Sequence, residues 1–341
     1  MTNRYCLTRK LIPGLAASLA AVTVSLTATA EPVKIRIQWS VAPAHITPLI
    51  TQAPKEIYKH YGKSYIVEPV RMRGSGPALQ GIAAGEIELG GMSIQALVRG
   101  VKRAKLDLKV IGQVMSGGVD GYGSSEFYAR SGEITKLEDL KGKIIAVNAL
   151  GSSIDAAVQA QFGRMGWNVG RDYQVVEVRF SAMLPALQSK RVDLAPLLTP
   201  FNLIAKKKGG VKYMFNMRDA LGATETLQWI GRADWIKKNR AAIVDFMADN
   251  IRLRKWLYDP KSREQVLATL SKVTKRPAKN YASWAFTKTD NYREPNALVN
   301  VGRMQKNVDD LVRLGVLKEG IAVKDYVDLS IAQEAAASAN K

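Results

Sequence analysis

Thiol and imidazole chemistry are almost missing from this chain. Among 341 residues there is one cysteine, Cys6, and there are two histidines, His45 and His60. Cys6 sits in a leader-like segment, so the remainder has no disulfide, no thiolate metal ligand and no cysteine nucleophile. Two histidines give little material for a zinc cluster or a Ser/His/Asp triad, and neither a cofactor nor a metal is expected. Acidic residues are scarce too, 30 against 50 Lys and Arg, for a formal charge of +20. That field favours anionic partners. The bases are scattered through amphipathic segments, without zinc-finger spacing, an arginine-rich tail or a basic strip interleaved with aromatics, so nucleic acid is not an expected partner. Internal repeats and low-complexity stalks are also missing, which argues against an adhesive or structural role.

What is there begins with a leader. Arg4, Arg9 and Lys10 precede the apolar stretch Leu11–Thr27, and Ala28-Thr29-Ala30 stands ahead of Glu31. This is the order of a secretory signal peptide over residues 1–30, with the mature chain starting near Glu31. The apolar stretch is short and broken by Pro13-Gly14, which argues against a retained anchor. Cys6 precedes that stretch, where no lipoprotein cysteine would stand. The three leader bases account for part of the charge, leaving +17 on residues 31–341. A chain of that length suffices for two lobes, each with its own core.

Val33, Ile35, Ile37 and Trp39 alternate with Lys34, Arg36 and Gln38, the pattern of a strand with one covered face. The loop "SVAPAHITPL", a helix to about His60, the strand "YIVEPVRM", a Gly-Ser-Gly-Pro turn, a helix from Pro77 to Ala84, the strand "EIELG", another helix and the strand "LKVIGQVM" follow. Strands alternating with helices predict a mainly parallel sheet with covered faces. The stretch "GGVDGYG", Gly117–Gly123, then interrupts with four glycines, a flexible crossing between lobes. The pattern restarts with a strand around Phe127–Ala129, a helix start in "KLEDLKGK", the strand "YQVVEVRF", the helix "SAMLPALQSK" and the strand "VDLAPLL", ending near Tyr213–Met217. Lys206, Lys207 and Lys208 ahead of Gly209-Gly210 read as a helix end whose cations complement its dipole. From Ala233 onward the chain reads as mostly helical, with Ile243, Met247 and Ile251, then Leu298, Met304, Val308, Leu311 and Val312, at core-facing spacing.

Two joints stand out. In "KIIAVNALGSSIDAAV", Lys143–Val158, a buried strand gives way to a helix with Asn148, Gly151, Ser152 and Ser153 at the junction. In "RMRGSGPALQG", Arg71–Gly81, the other block does the same. Small polar residues leave the first helical amides reachable, which suits N-capping and suits holding an anion equally. Neither joint carries the Gly-Lys-Ser/Thr of a phosphate-binding loop. Ligands of open α/β sheets bind beyond the carboxyl ends of strands, so two lobes face to face could hold one anion between two helix N-termini. Arg73, between a strand end and a helix start, is either a bidentate donor for carboxylate or sulfonate or half of an ion pair.

With these segments in place the chain resembles the periplasmic solute-binding proteins of ABC importers, in the group that binds nitrate, sulfonates, taurine and thiamine precursors. The resemblance runs through "IQWSVAPAHITPLI", "GSGPALQGIAAGEIELG", "ITKLEDLKGKIIAVNALGSS", "LLTPFNLIAKKKGG", "ADWIKKNRAAIVDFMADNIRLRKWLYDP" and "YVDLSIAQEA". It implies an α/β, periplasmic binding protein-like fold: two lobes, a two-strand hinge crossed near Gly117–Gly123 and Met217–Thr224, and a helical C-terminal tail. Lobe I would comprise residues 31–117 and 218–341, and lobe II residues 118–217. It implies a periplasmic monomer that closes on a small anionic solute and hands it to ABC permease subunits. Carried over residue by residue, the ligand contacts would be Trp39, His45, Arg73, Ser75, Gly76, Ser93, Asn148, Ser152, Ser153, Phe180, Ser181 and Thr199. Trp39 also fits a core position, His45 a satisfied loop histidine and Ser93 a helix cap.

Some relatives of this fold are enzymes that make the thiamine pyrimidine from one of their own histidines with a cysteine-rich segment. Here Gln95 stands where that histidine would fall, and a cysteine-rich segment is missing, so a binding protein and not an enzyme is expected. Trp39 and Phe180 as an apolar platform beside hydroxyls and arginine favour an aromatic carboxylate or sulfonate as solute. Alkyl sulfonates including taurine, nitrate and a pyrimidine precursor are the alternatives.

Overall fold

The structure is a computed structural model, and it describes residues 1, 2 and 31–340. The expected leader therefore lies outside the described residues, apart from its first two. Among the described residues no helix is long and apolar enough to cross a membrane.

The first half runs β1 (Val33–Trp39), α1 (Thr47–Ile50), β2 (Tyr65–Arg71), α2 (Ser75–Ala83), β3 (Leu89–Met92), α3 (Ile94–Lys102) and β4 (Leu108–Gly117). The chain then enters the second half: β5 (Glu126–Arg130), β6 (Ile144–Val147), α4 (Ser153–Gly163), β7 (Gln174–Glu177), α5 (Phe180–Gln188), β8 (Leu194–Pro196), α6 (Phe201–Lys208) and β9 (Val211–Asn216). It returns through α7 (Met217–Leu221) to β10 (Thr224–Arg232) and closes with α8 (Ala233–Lys238), α9 (Arg240–Tyr258), α10 (Arg263–Thr274), α11 (Val301–Arg313) and α12 (Leu329–Ala339).

Each half is built on one five-stranded sheet, in the orders β2-β1-β3-β10-β4 and β7-β6-β8-β5-β9. The βαβ units make β1, β2 and β3 parallel in the first sheet and β6, β7 and β8 parallel in the second. The antiparallel strands are those nearest the passages between halves: β10 pairs β3 and β4, and β5 pairs β8 and β9. Thr224 faces Gly117 where β10 and β4 meet at the passage. The outgoing and returning strands run in opposite directions, so the expected parallel sheet becomes a mixed one.

The alternation in β1 buries Ile35 and Ile37 under α9, whose Ile243, Met247 and Ile251 are fully buried at helical spacing. Each such side chain contributes about 1.5–3 kcal/mol on burial. A second apolar cluster runs through both halves, from Ile82 and Val110 to Phe127 and Ile145, and takes in Met304, Val308 and Leu311 of α11.

Several sequence expectations shift. The helix foreseen up to His60 reduces to α1 and a single 3-10 turn at Lys55–Ile57. Pro54 removes a helical amide there. The backbone amides of Lys59, His60 and Tyr61 instead bond the buried Asp249 carboxylate of α9, at 2.9, 3.0 and 3.0 Å. The strand expected at Glu86–Gly90 lies at Leu89–Met92. The strand expected to reach Phe180 stops at Glu177, and Phe180 opens α5.

Candidate functional site

The carboxyl ends of β1, β2 and β6 all point into a cleft between the halves, with two chambers near the glycine-serine joints and a third, of about 50 Å³, on the side of Glu126 and Asp290. The inner chamber holds about 40 Å³, and its wall is mainly apolar, with Met115, Ile154, Phe180, Leu198 and Leu227, beside His45 and the hydroxyls of Ser75, Ser125, Ser152, Ser153 and Thr226. The outer chamber holds about 390 Å³. Ser40, Val41, Asn148 and Phe180 line both.

His45 lies on the loop after β1. Arg293 fixes that loop by donating to the carbonyls of Pro43 at 2.8 Å and Ala44 at 3.2 Å, its charge answered by Asp290 at 3.0 Å. His45 places Nδ1 3.3 Å from Ser40 Oγ and Nε2 3.4 Å from the Gly91 carbonyl. Burial, with the Arg293 charge nearby, pushes its pKa down to about 4. It is a neutral, satisfied imidazole on the wall of the inner chamber.

The two glycine-serine joints meet in direct contact, which corrects the expectation of an anion held between them. A Cβ on Gly76 would lie 2.4 Å from the Leu150 carbonyl, leaving no room for a ligand atom there. Asn148 Nδ2 donates to the Arg73 carbonyl at 2.8 Å, and Gln95 Nε2 donates to the Ser152 carbonyl. Gly76 and Ser93 line neither chamber. The Ser93 hydroxyl sits 3.5 Å from the Gly151 carbonyl, in the seam between halves, and its amide donates to Ser75 Oγ at 3.1 Å.

The start of α4 is also occupied from within. Ser152 Oγ accepts from the Asp155 amide at 3.3 Å and donates to Asn148 Oδ1 at 2.8 Å, while the Gly151 amide donates to Asp155 Oδ2 at 2.8 Å. The buried Asp155 carboxylate, its pKa raised by burial, already takes the place of an anion at this helix end. Capping is therefore the role the geometry gives Ser152. Ser153 faces the inner chamber without a cap bond.

The charge lies farther out. Arg71, Arg73, Arg179 and Arg276 line the outer chamber with Trp39, Phe180, Phe201 and Tyr281, and no carboxylate is among the lining residues. Trp39 and Arg71 are register partners across β1 and β2, and the Arg71 guanidinium lies 5.2 Å from the Trp39 ring centre. Arg276, after α10, lies 5.0 Å from the Phe201 ring of α6, so this contact spans the halves. Arg73 also spans them, with Nη1 3.4 Å from Glu177 Oε2, the ion-pair alternative. Ser181 and Thr199 complete the outer wall beside Phe180.

Trp39, Asn148, Phe180, Ser181, Thr199 and Arg73 thus come together in the outer chamber, and His45, Ser75, Ser152 and Ser153 in the inner one. Arg71, Phe201, Arg276 and Tyr281 were missed. Arg71 had a usable signal, since it stands two residues before Arg73 at a strand end. Arg276 and Tyr281 had none, because they come from a connection far along the chain. Among the described residues no group of three His, Cys, Asp or Glu is placed to hold a metal ion.

Comparison with solved structures places this architecture. The nitrate-binding protein NrtA from Synechocystis PCC 6803 matches with a TM-score of 0.69 at 14% identity, over 90% of this chain and 89% of that one. The aliphatic sulphonate binding protein SsuA from Escherichia coli matches with a TM-score of 0.63 at 19% identity, over 89% and 99%. The desulfurization enzyme DszB also matches, with a TM-score of 0.59 at 12% identity over 90% and 99%. At these identities the likeness is one of fold, the two-lobed fold of periplasmic binding proteins. No curated protein matches the sequence significantly. A family model does match, over residues 28–271, and by that match the chain belongs to the NMT1-like family.

Proposed function

We propose that the protein is the periplasmic solute-binding component of an ABC importer, capturing a small organic anion in the cleft and delivering it, as a monomer, to the permease subunits. The observation that carries this is the outer chamber, where four arginines and four aromatic residues converge with no carboxylate in the lining. Guanidinium forks match carboxylate and sulfonate oxygens, and aromatic rings cover a flat apolar body. Aromatic carboxylates and sulfonates therefore fit better than taurine, nitrate or a neutral pyrimidine precursor. Capture would close the halves about Gly117–Gly123 and Met217–Thr224. The leader-like residues 1–30 agree with export.

An enzymatic role is the competing reading, because DszB shares the fold. The imidazole in this cleft is buried with a pKa of about 4 and bonded to a serine and a carbonyl, a poor general base near neutrality. His60 lies elsewhere, 3.3 Å from Asp245.

The test is calorimetry and thermal melting of the mature chain with benzoate, benzenesulfonate, the three benzene dicarboxylates, taurine and nitrate. An aromatic anion should bind with one-to-one stoichiometry, raise the melting temperature and be recovered unchanged by chromatography. At a hundredfold excess over Kd the gain is about 2.7 kcal/mol. Failure of every aromatic anion to bind, or appearance of a reaction product, would refute the proposal.

A further inference from the structure

The outer chamber holds more positive charge than one acidic group can answer. Of its four arginines, only Arg73 has a carboxylate neighbour, the half-exposed Glu177 at 3.4 Å. Among the described residues no carboxylate lies within ion-pair distance of Arg71, Arg179 or Arg276. Arg71 and Arg276 instead lie over the rings of Trp39 and Phe201. A guanidinium held over a ring still has N–H donors to offer a planar acceptor. These arginines come from separate places: Arg71 ends β2, Arg179 precedes α5 in the other half, and Arg276 follows α10.

The inner chamber offers no counterpart. Its titratable lining residue is a neutral imidazole, and the adjoining helix end is taken by Asp155. It is also too small, at about 40 Å³, and too apolar in its wall to take a second acidic group. Like charges gathered around one cleft repel, and the repulsion is relieved most by a ligand that brings several negative groups to several points of the wall.

We infer that the solute carries at least two acidic groups on a flat apolar body, of the benzene dicarboxylate class, with both groups in the outer chamber. The inference rests on the organic-anion reading and narrows it. One carboxylate is held by Arg71 and Arg73 of the first half, with Arg276 of the same half beside them, and the other by Arg179 of the second half, so the ligand ties the two halves together.

The experiment is calorimetry with benzoate, benzenesulfonate and benzene-1,2-, 1,3- and 1,4-dicarboxylate at two salt concentrations. At least one dicarboxylate should bind about 10- to 100-fold more tightly than benzoate, the worth of one added charge-assisted contact. Its affinity should also fall more steeply with salt. Arg71→Gln and Arg276→Gln should each cost that dicarboxylate about tenfold or more and benzoate less, at unchanged melting temperature. If benzoate or benzenesulfonate binds as tightly as every dicarboxylate, this inference is overturned while the organic-anion proposal stands. If no aromatic anion binds, both are overturned.

Discussion

Gly76→Ala should separate the fold of each half from the fit between them. Gly76 lies in the first turn of α2, in the first half, and its added Cβ would stand 2.4 Å from the Leu150 carbonyl oxygen of the second half. An ordinary carbon to carbonyl-oxygen approach is about 3.3–3.6 Å, so the surfaces must part by about 1 Å. The obstacle is backbone, and it is held: the Leu150 amide donates to Glu177 Oε1 at 2.8 Å, and the neighbouring Gly151 amide to Asp155. Gly74 differs, since its added Cβ would meet a side chain, the Asn148 amide at 2.5 Å, whose displacement breaks its bonds with Arg73 and Ser152 but moves no backbone. Overpacking of this kind costs about 1–3 kcal/mol, and under the proposed closure of the halves it falls on the closed arrangement. Solute affinity should fall by about 5- to 150-fold. If the halves open without solute, as the proposed closure requires, the clash is relieved there, and the melting temperature without solute should change by only about 2 °C. Calorimetry gives the affinity and small-angle scattering the radius with saturating solute, which should exceed that of the unaltered protein. Full affinity with an unchanged radius would refute the reasoning.

Ser152→Ala should act on stability rather than on binding: losing the bond from the Asp155 amide and that to Asn148 costs about 0.5–2 kcal/mol. A solute affinity reduced more than about tenfold at an unchanged melting temperature would restore a ligand role for that hydroxyl. His45 makes the stability pH-dependent. Its folded pKa of about 4 lies below the unfolded value of 6.5, so only the unfolded chain takes up the proton between them, and stability drains away as pH falls through that window. The loss approaches about 3 kcal/mol near the lower end. Urea unfolding between those pH values should show a shallower decline for His45→Gln than for the parent, and parallel curves would contradict the assignment. Gly302→Ala, on the exposed side of α11 with nothing nearer than 3.6 Å, should stabilise by about 0.5 kcal/mol. A lower denaturation midpoint would show that the first turn of that helix is tighter than its spacing implies.

Much of the architecture was legible because it is written in local periodicity. The alternation in Val33–Trp39 and the helical stripe of Ile243, Met247 and Ile251 named the faces that now pack together. The glycine-serine joints marked where strands end and helices begin in both halves, and each does so. The failure over Lys55–His60 is equally physical. Its amides are claimed by Asp249, nearly two hundred residues later, and no local pattern announces a distant carboxylate.

The site divides along the same line. The sequence by itself determined that the chain carries excess positive charge, that thiol and imidazole chemistry are nearly unavailable, and that small polar joints close the strands on the cleft. Only the tertiary structure decided that the joints press on one another, with Asp155 filling the helix end that had seemed open to an anion. It likewise decided that Arg71, Arg179 and Arg276 converge beside Trp39, Phe180 and Phe201. Periodicity fixes which face of a segment turns inward, whereas convergence depends on which remote segment that face meets, and that is settled by the packing of the two halves.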